Sequence, residues 1–107
     1  MMKLIPGFDD YCISDDGRVY RIKKDSLYEL RTYICNGHNC VKLRGIKFYI
    51  DNLVASLFIG EKPVDHKVFH KNKDRLDDRV ENLIYLTSAD FYRYSTYTKE
   101  YLGIIFS

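Results

Sequence analysis

Two short segments of the chain carry side chains that could do chemistry. The first runs from Cys35 to Cys40, where two thiols flank the imidazole of His38. The second is a polar stretch from His70 to Asn82. Thiols and imidazoles bind zinc, and an imidazole exchanges protons with water near neutral pH. These segments are therefore the candidates for a metal site and for a proton-transfer site.

The spacing in the first segment disfavours zinc. A structural zinc site needs four ligands, usually in two close pairs, and no second pair follows Cys35 and Cys40 at a finger-like distance. The 3 cysteines are also an odd number, which excludes a full disulfide framework. We expect reduced, half-buried thiols on a β-hairpin, with a local cross-strand disulfide as the alternative.

The second segment resembles a nuclease motif. His70 is followed by a polar loop and then by the run Val80 to Leu83, a pattern similar to that of phage-type HNH homing endonucleases. His70 and Asn82 match the first His and the central Asn of the motif. Upstream, several short runs resemble the nuclease-associated modular domain and its joining helix: Ile5 to Phe8, Tyr11, Ile13-Ser14, Gly17 to Val19, Leu53 to Ala55 and Phe58. The similarity spans about residues 4–91.

The resemblance implies a mechanism and its residues. In the family one divalent metal, usually Mg²⁺, binds the scissile phosphate, and a neutral His takes a proton from the attacking water. His70 and Asn82 would be the catalytic pair. The metal ligands come from the residue before that His and from the last helix, which here are Phe69 and Phe91. Since a phenyl ring cannot ligate Mg²⁺, we expect no metal cofactor and a vestigial or weak active site.

Other residues leave metal chemistry open. Asp65-His66 also resembles the Asp-His pair of the broader HNH class, and Asp90 lies one residue from the expected helix ligand. One residue turns a side chain by about 100° around a helix, so Asp90 would face differently. If these residues hold a metal, the expected ion is Mg²⁺. Asp77 and Asp78 replace the usual Asn pair of the loop, and we expect them to repel a phosphate backbone unless a cation intervenes.

Structural roles are the alternatives for the same residues. Asn82 could pin the loop through side-chain bonds to the backbone. Phe69 and Phe91 could fill the metal position with stacked rings that stabilise the unit.

The elements that must position these residues are predicted to be strands in the first part of the chain, with the helices after it. Turn signals at Asp15 to Gly17 and at Asn36-Gly37 predict two β-hairpins, and Lys47 to Ile50 is expected to be a third short strand or the approach to a helix. Apolar residues at 50, 53, 54, 57 and 58 predict a helix, capped by Asp51 or Asn52 and ended by Gly60.

The second half is predicted to be a strand–loop–strand–helix unit. The strands are Val64 to Phe69 and Leu83 to Leu86, and a helix follows from Thr87 or Ser88 toward Leu102, with an apolar tail at Ile104 to Phe106. The fold class is α+β. Residues 1–48 form a β-hairpin modular lobe, and residues 49–107 form the connecting helix and the HNH-like ββα lobe.

Composition limits the partners. No apolar run approaches the roughly 20 residues that span a bilayer, so we expect no membrane partner and an intracellular location in the host cytoplasm. A net charge of +2 is low for a dedicated non-specific DNA binder. The 10 tyrosines suit an interface or a small core with polar edges.

Three functions remain. We expect a DNA-binding protein derived from an HNH homing endonuclease, with cleavage weak or lost. The alternatives are an active Mg²⁺-dependent HNH endonuclease and a viral or mobile-element protein that binds a host or defence protein. The residues expected to contact DNA form two groups: Arg18, Arg21, Lys23 and Lys24 on the first hairpin, and Lys71, Lys73, Arg75 and Arg79 beside His70.

Overall fold

The computed structural model describes the backbone of residues 1–96 and the side chains of residues 1–93. The predicted helix end near Leu102 and the apolar tail Ile104 to Phe106 lie outside the described residues. No described helix is long and apolar enough to cross a membrane.

Two antiparallel sheets form the first half of the chain. Strands β1 to β4 pair in chain order in a four-stranded sheet, and β5 to β7 form a three-stranded sheet. The strands are β1 (Met2–Ile5), β2 (Phe8–Ser14), β3 (Val19–Lys23), β4 (Ser26–Glu29), β5 (Tyr33–Cys35), β6 (His38–Leu43) and β7 (Ile46–Tyr49).

The second half contains the helices and one further hairpin. Helix α1 (Ile50–Val54) continues as a π-helical turn (Ala55–Ile59). Strands β8 (His66–His70) and β9 (Leu83–Thr87) pair antiparallel, with His70 opposite Leu83, and a 3₁₀ turn (Val80–Asn82) precedes β9. Helix α2 (Ser88–Thr96) follows. The α+β class and the strand–loop–strand–helix order predicted from the sequence are confirmed.

The turn residues explain the hairpins. Asn36 and Gly37 both have positive φ, 55° and 78°, which joins β5 to β6 in the tight turn that the Asn-Gly pair predicts. Arg44 and Gly45 repeat this geometry between β6 and β7, with φ of 50° and 80°. The predicted strand from Val64 begins two residues late, because Asp65 adopts a φ of 61° in a turn closed by the His66 N–H and the Pro63 carbonyl.

One cluster of buried apolar side chains joins both halves. Ile13 and Val19 of the first sheet, Val41 of the second sheet, Val54 of α1 and Leu83 of β9 all belong to it. Backbone contacts reinforce this packing, since the Val80 N–H donates to the Asp15 carbonyl at 2.8 Å. The first hairpin turn therefore lies against the loop that follows β8. The division into lobes 1–48 and 49–107 stays a prediction.

Candidate functional site

A buried polar network surrounds His70. Its Nε2 lies 2.8 Å from Asp78 Oδ1 and 3.8 Å from Asp51 Oδ2. Asp51 Oδ2 also lies 3.0 Å from Nδ1 of His38. Asn39 Nδ2 donates to Asp78 Oδ2 at 2.9 Å. The side chains of His70, Asp51 and Asp78 are 3%, 6% and 4% exposed, so the contacts of His70 with the two aspartates are shielded from water.

Four separate elements position this network. His70 ends β8, Asp51 lies in the first turn of α1, His38 and Asn39 begin β6, and Asp78 belongs to the loop between β8 and β9. The prediction that Asp51 or Asn52 caps the helix was wrong. The cap position is Tyr49, and the Asp51 carboxylate instead accepts the next N–H, of Asn52, at 2.7 Å and faces the imidazoles.

Gly17 allows Asp78 to reach its position. Its φ is 89°, and an added Cβ would lie 3.2 Å from the Asp78 Cβ and 3.2 Å from Ile50 Cγ2. A side chain at this position would therefore be strained by the backbone and would crowd the loop, which favours glycine.

Asn82 holds the loop rather than the imidazole. Its side-chain oxygen accepts the Asn72 N–H at 3.0 Å, and its amide donates to Asn72 Oδ1 at 3.0 Å and to the Asp77 carbonyl at 2.8 Å. These bonds fix both ends of the segment from Asn72 to Asp77. The geometry matches the loop-pinning alternative for Asn82.

The two adjacent aspartates of the loop do not present free carboxylates to a phosphate backbone. Asp78 is buried against His70, and Asp77 accepts two hydrogen bonds from the Arg79 guanidinium, both at 2.8 Å. Hydrogen bonds from Arg79 lower the pKa of Asp77 to about 2. Arg79 is thus the intervening cation that the expectation allowed for at Asp77, and the sequence does not show that Asp78 points inward.

The network leaves His70 one basic nitrogen. A carboxylate oxygen only accepts hydrogen bonds, so Nε2 carries a hydrogen toward Asp78, and Nδ1 is the basic atom of the neutral ring. Asp78 therefore orients the imidazole in the way that a general base requires.

The positions that would hold the family's metal contain a stacked aromatic pair. The ring centroids of Phe69 and Phe91 are 4.1 Å apart with an interplanar angle of 10°. Phenyl carbons offer no oxygen or nitrogen ligand, so these two residues do not fit a Mg²⁺ ion. The stack joins β8 to α2, as the structural alternative anticipated.

A different group has the chemistry of metal ligands. Asp51, His70 and Asp78 each offer one ligand atom, and these atoms lie within 4.8 Å of one another. Among the described residues this is the only such group of three or more, and the sequence candidates Asp65, His66 and Asp90 are not in it. His66 bonds the Val64 carbonyl through Nδ1, and the Asp90 N–H bonds Thr87 Oγ1.

A pocket of about 500 Å³ opens beside the aromatic pair, and we call it the aromatic pocket. Phe69 and Phe91 lie in its wall with Val68. The other described lining residues are two imidazoles and three cations: His38, His70, Lys67, Lys73 and Arg75. The pocket therefore combines flat apolar surface with positive charge.

The predicted DNA contacts divide by their surroundings. Lys73 and Arg75 line the aromatic pocket, and Lys71 lies just outside β8. Arg79, by contrast, is paired with Asp77 and with Glu81 at 3.4 Å.

The other predicted group lies on the first hairpin. Arg21 and Lys23 are exposed on β3, and Lys24 is in the following turn with a φ of 55°. Arg18 lies 3.7 Å from Asp16.

The cysteine segment does not assemble a metal site among the described residues. Cys35 and Cys40 are free thiols on the predicted hairpin, and neither belongs to a metal-binding group. Cys40 is completely buried, and burial raises the pKa of its thiol. The His38 ring contacts Asp51 instead. The sequence did not indicate this contact, because it places His38 between the two cysteines.

Comparisons with known proteins find similarity to HNH endonucleases. A model of the HNH endonuclease family matches residues 48–91, which contain α1, β8, the loop and β9. An uncharacterized HNH endonuclease, L247 of Acanthamoeba polyphaga mimivirus, is 32% identical over 93 residues. The chain is therefore similar to HNH endonucleases, and residues 48–91 carry the match to the family. The alignment covers 80% of the chain but only 23% of the viral HNH endonuclease.

The fold extends the similarity beyond the HNH unit. The structure of the HNH homing endonuclease I-HmuI, solved to describe DNA binding and cleavage, matches with a TM-score of 0.69 and 24% identity. The match covers 97% of this chain and 65% of I-HmuI. The predicted relation of the β-hairpin region and the HNH unit to a homing endonuclease fold is confirmed.

Proposed function

We propose that this HNH endonuclease-like chain binds DNA and that its metal-dependent cleavage is weak or lost. The observation that carries the proposal is the Phe69–Phe91 stack, with ring centroids 4.1 Å apart, at the two positions where the family's metal ligands lie. Without that metal, nothing at these positions offsets the charge that develops on a phosphate during attack. His70 keeps an orienting partner in Asp78, but a general base alone does not replace the metal.

Positive charge near His70 supports DNA binding. Lys67 and Arg75 line the aromatic pocket, and neither has a carboxylate within ion-pair distance among the described residues. No described lining residue of this pocket is acidic. Cations in this setting release counterions from a phosphate backbone when they bind it.

Binding is tested by fluorescence anisotropy with a labelled duplex over a range of salt concentrations. We expect affinity at low salt and a fall in affinity as salt rises. Arg75→Ala should weaken binding and reduce the salt slope by about 1. Arg79→Ala is the matched control, and it should have a smaller effect because Asp77 and Glu81 already pair with Arg79. Absence of binding at low salt would refute the proposal.

A second candidate is a metal-dependent nuclease that uses the buried group. This function is favoured by the ligand atoms of Asp51, His70 and Asp78, which lie within 4.8 Å of one another. Mg²⁺ and Mn²⁺ accept oxygen ligands, and Mn²⁺ also accepts imidazole. In this case millimolar Mn²⁺ should raise the melting temperature of the wild type but not of Asp51→Asn. If the network is structural, Mn²⁺ should change neither melting temperature.

A further inference from the structure

We propose that the aromatic pocket binds a nucleotide that is unpaired from DNA, with its base on the Phe69–Phe91 stack and its phosphate near Lys67 and Arg75. The proposal deepens the DNA-binding function and rests on it. It assigns a role to the two residues that replace the metal ligands.

The stack offers a surface that a base can extend. The rings are nearly parallel, with an interplanar angle of 10°, and Phe91 is 36% exposed. Phe69 is half-buried, and both rings belong to the pocket wall. Aromatic side chains bind unpaired bases by stacking on their flat faces, and this contact tolerates any base. A duplex base cannot use the surface until it leaves its own stack.

The size and charge of the pocket fit a nucleotide. Its volume of about 500 Å³ lies within the range of small-ligand sites. Lys67 approaches from β8, and Arg75 approaches from the loop. An added Cβ at Gly37 would lie 3.5 Å from Nη1 of Arg75, so the guanidinium rests against the turn between β5 and β6. The lining thus offers cations for a phosphate beside apolar rings for a base.

The experiment compares three labelled oligonucleotides by anisotropy: a fully paired duplex, the same duplex with one bulged nucleotide, and a single strand. We expect the wild type to bind the bulged duplex at least about fivefold more tightly than the paired duplex, as stacking of one base predicts. A lack of preference for both the bulged duplex and the single strand, with paired-duplex binding intact, would overturn the inference and leave the proposed function standing. Absence of binding to all three would refute the proposed function itself.

Two substitutions at one position separate stacking from packing. Phe69→Leu should remove the preference for the bulged duplex, whereas Phe69→Tyr keeps a flat ring and should retain the preference. Tyr28→Leu is the control, because Tyr28 is exposed on β4 and does not line the pocket. If Phe69→Leu retains the preference while its circular dichroism spectrum is native, the base does not stack on this pair.

Discussion

Replacing Asp78 should cost far more stability than replacing its neighbour Asp77. Asp78 accepts hydrogen bonds from His70 at 2.8 Å and from Asn39 at 2.9 Å with its side chain only 4% exposed. Asp78→Ala removes the acceptor of the buried His70 ring, which costs about 1–3 kcal/mol, and one of the two acceptors of the half-buried Asn39 amide. Adding the lost packing, we expect the free energy of unfolding to fall by about 3–5 kcal/mol.

Two further variants make this expectation specific. Asp78→Asn keeps the size and one acceptor but sets an amide N–H against Asn39, so about 1–2 kcal/mol should be lost. Asp77→Ala removes a pair with Arg79, whose side chain is 53% exposed, and should cost about 1 kcal/mol or less.

Urea unfolding followed by far-ultraviolet circular dichroism measures all three, since folded domains of this size have about 5–15 kcal/mol to lose. Equal losses for Asp78→Ala and Asp77→Ala would refute the description of Asp78 as a buried partner of His70.

Three further outcomes are expected. Gly17→Ala should destabilise the fold by about 1–3 kcal/mol in the same urea assay, because Gly17 has a φ of 89° and an added Cβ would crowd Asp78; a neutral effect would contradict this contact. Arg79 lowers the pKa of Asp77 to about 2, below its value in the unfolded chain. The ionised Asp77 therefore stabilises the fold fully above about pH 4, and this contribution is lost as the pH falls toward 2. Over this interval the urea midpoint of Asp77→Asn should fall less than that of the wild type. A thiol reagent should label the half-buried Cys35 before the buried Cys40, and Cys40 only as the protein unfolds; labelling at equal rates would contradict the assigned burial.

Local features of the chain were predictable because they depend on neighbouring residues. The Asn36-Gly37 pair dictates its own turn, and the apolar spacing from Ile50 dictates one helical face. Gly60 ends that helix with a φ of 137°, as its position after the last apolar residue indicates. The strands β1 and β4 were not predicted. In β4 every residue is exposed, so its sequence lacks the alternation of apolar and polar residues that indicates a strand.

The polar network was not predictable in the same way. His70 and Asn82 were identified through a motif, but the partners of His70 come from α1 and from the loop, which only the folded chain brings together. From the sequence, Asp51 was a candidate helix cap, and His38 was a candidate metal ligand beside Cys35 and Cys40. Charge alone could not distinguish the buried Asp78 from the paired Asp77, since they are adjacent and chemically identical.

The stacked pair was anticipated from two positions in the motif. Phe69 and Phe91 stand where oxygen ligands are expected, and their contact at 4.1 Å fits the expectation that aromatic rings fill this space. The cations around them were predicted only as a charged loop. Lys67 was not predicted as a DNA contact, because the sequence does not show that this exposed position of β8 lies beside the aromatic pair.

Plasmid nicking tests the central claim most directly. Wild-type protein is incubated with supercoiled plasmid in Mg²⁺ and separately in Mn²⁺, at low salt, with His70→Ala as the control for contaminating nuclease. We expect the wild type to nick no faster than His70→Ala with either metal, since Phe69 and Phe91 offer no metal ligand. Metal-dependent nicking by the wild type that His70→Ala abolishes would contradict the loss of the family's reaction.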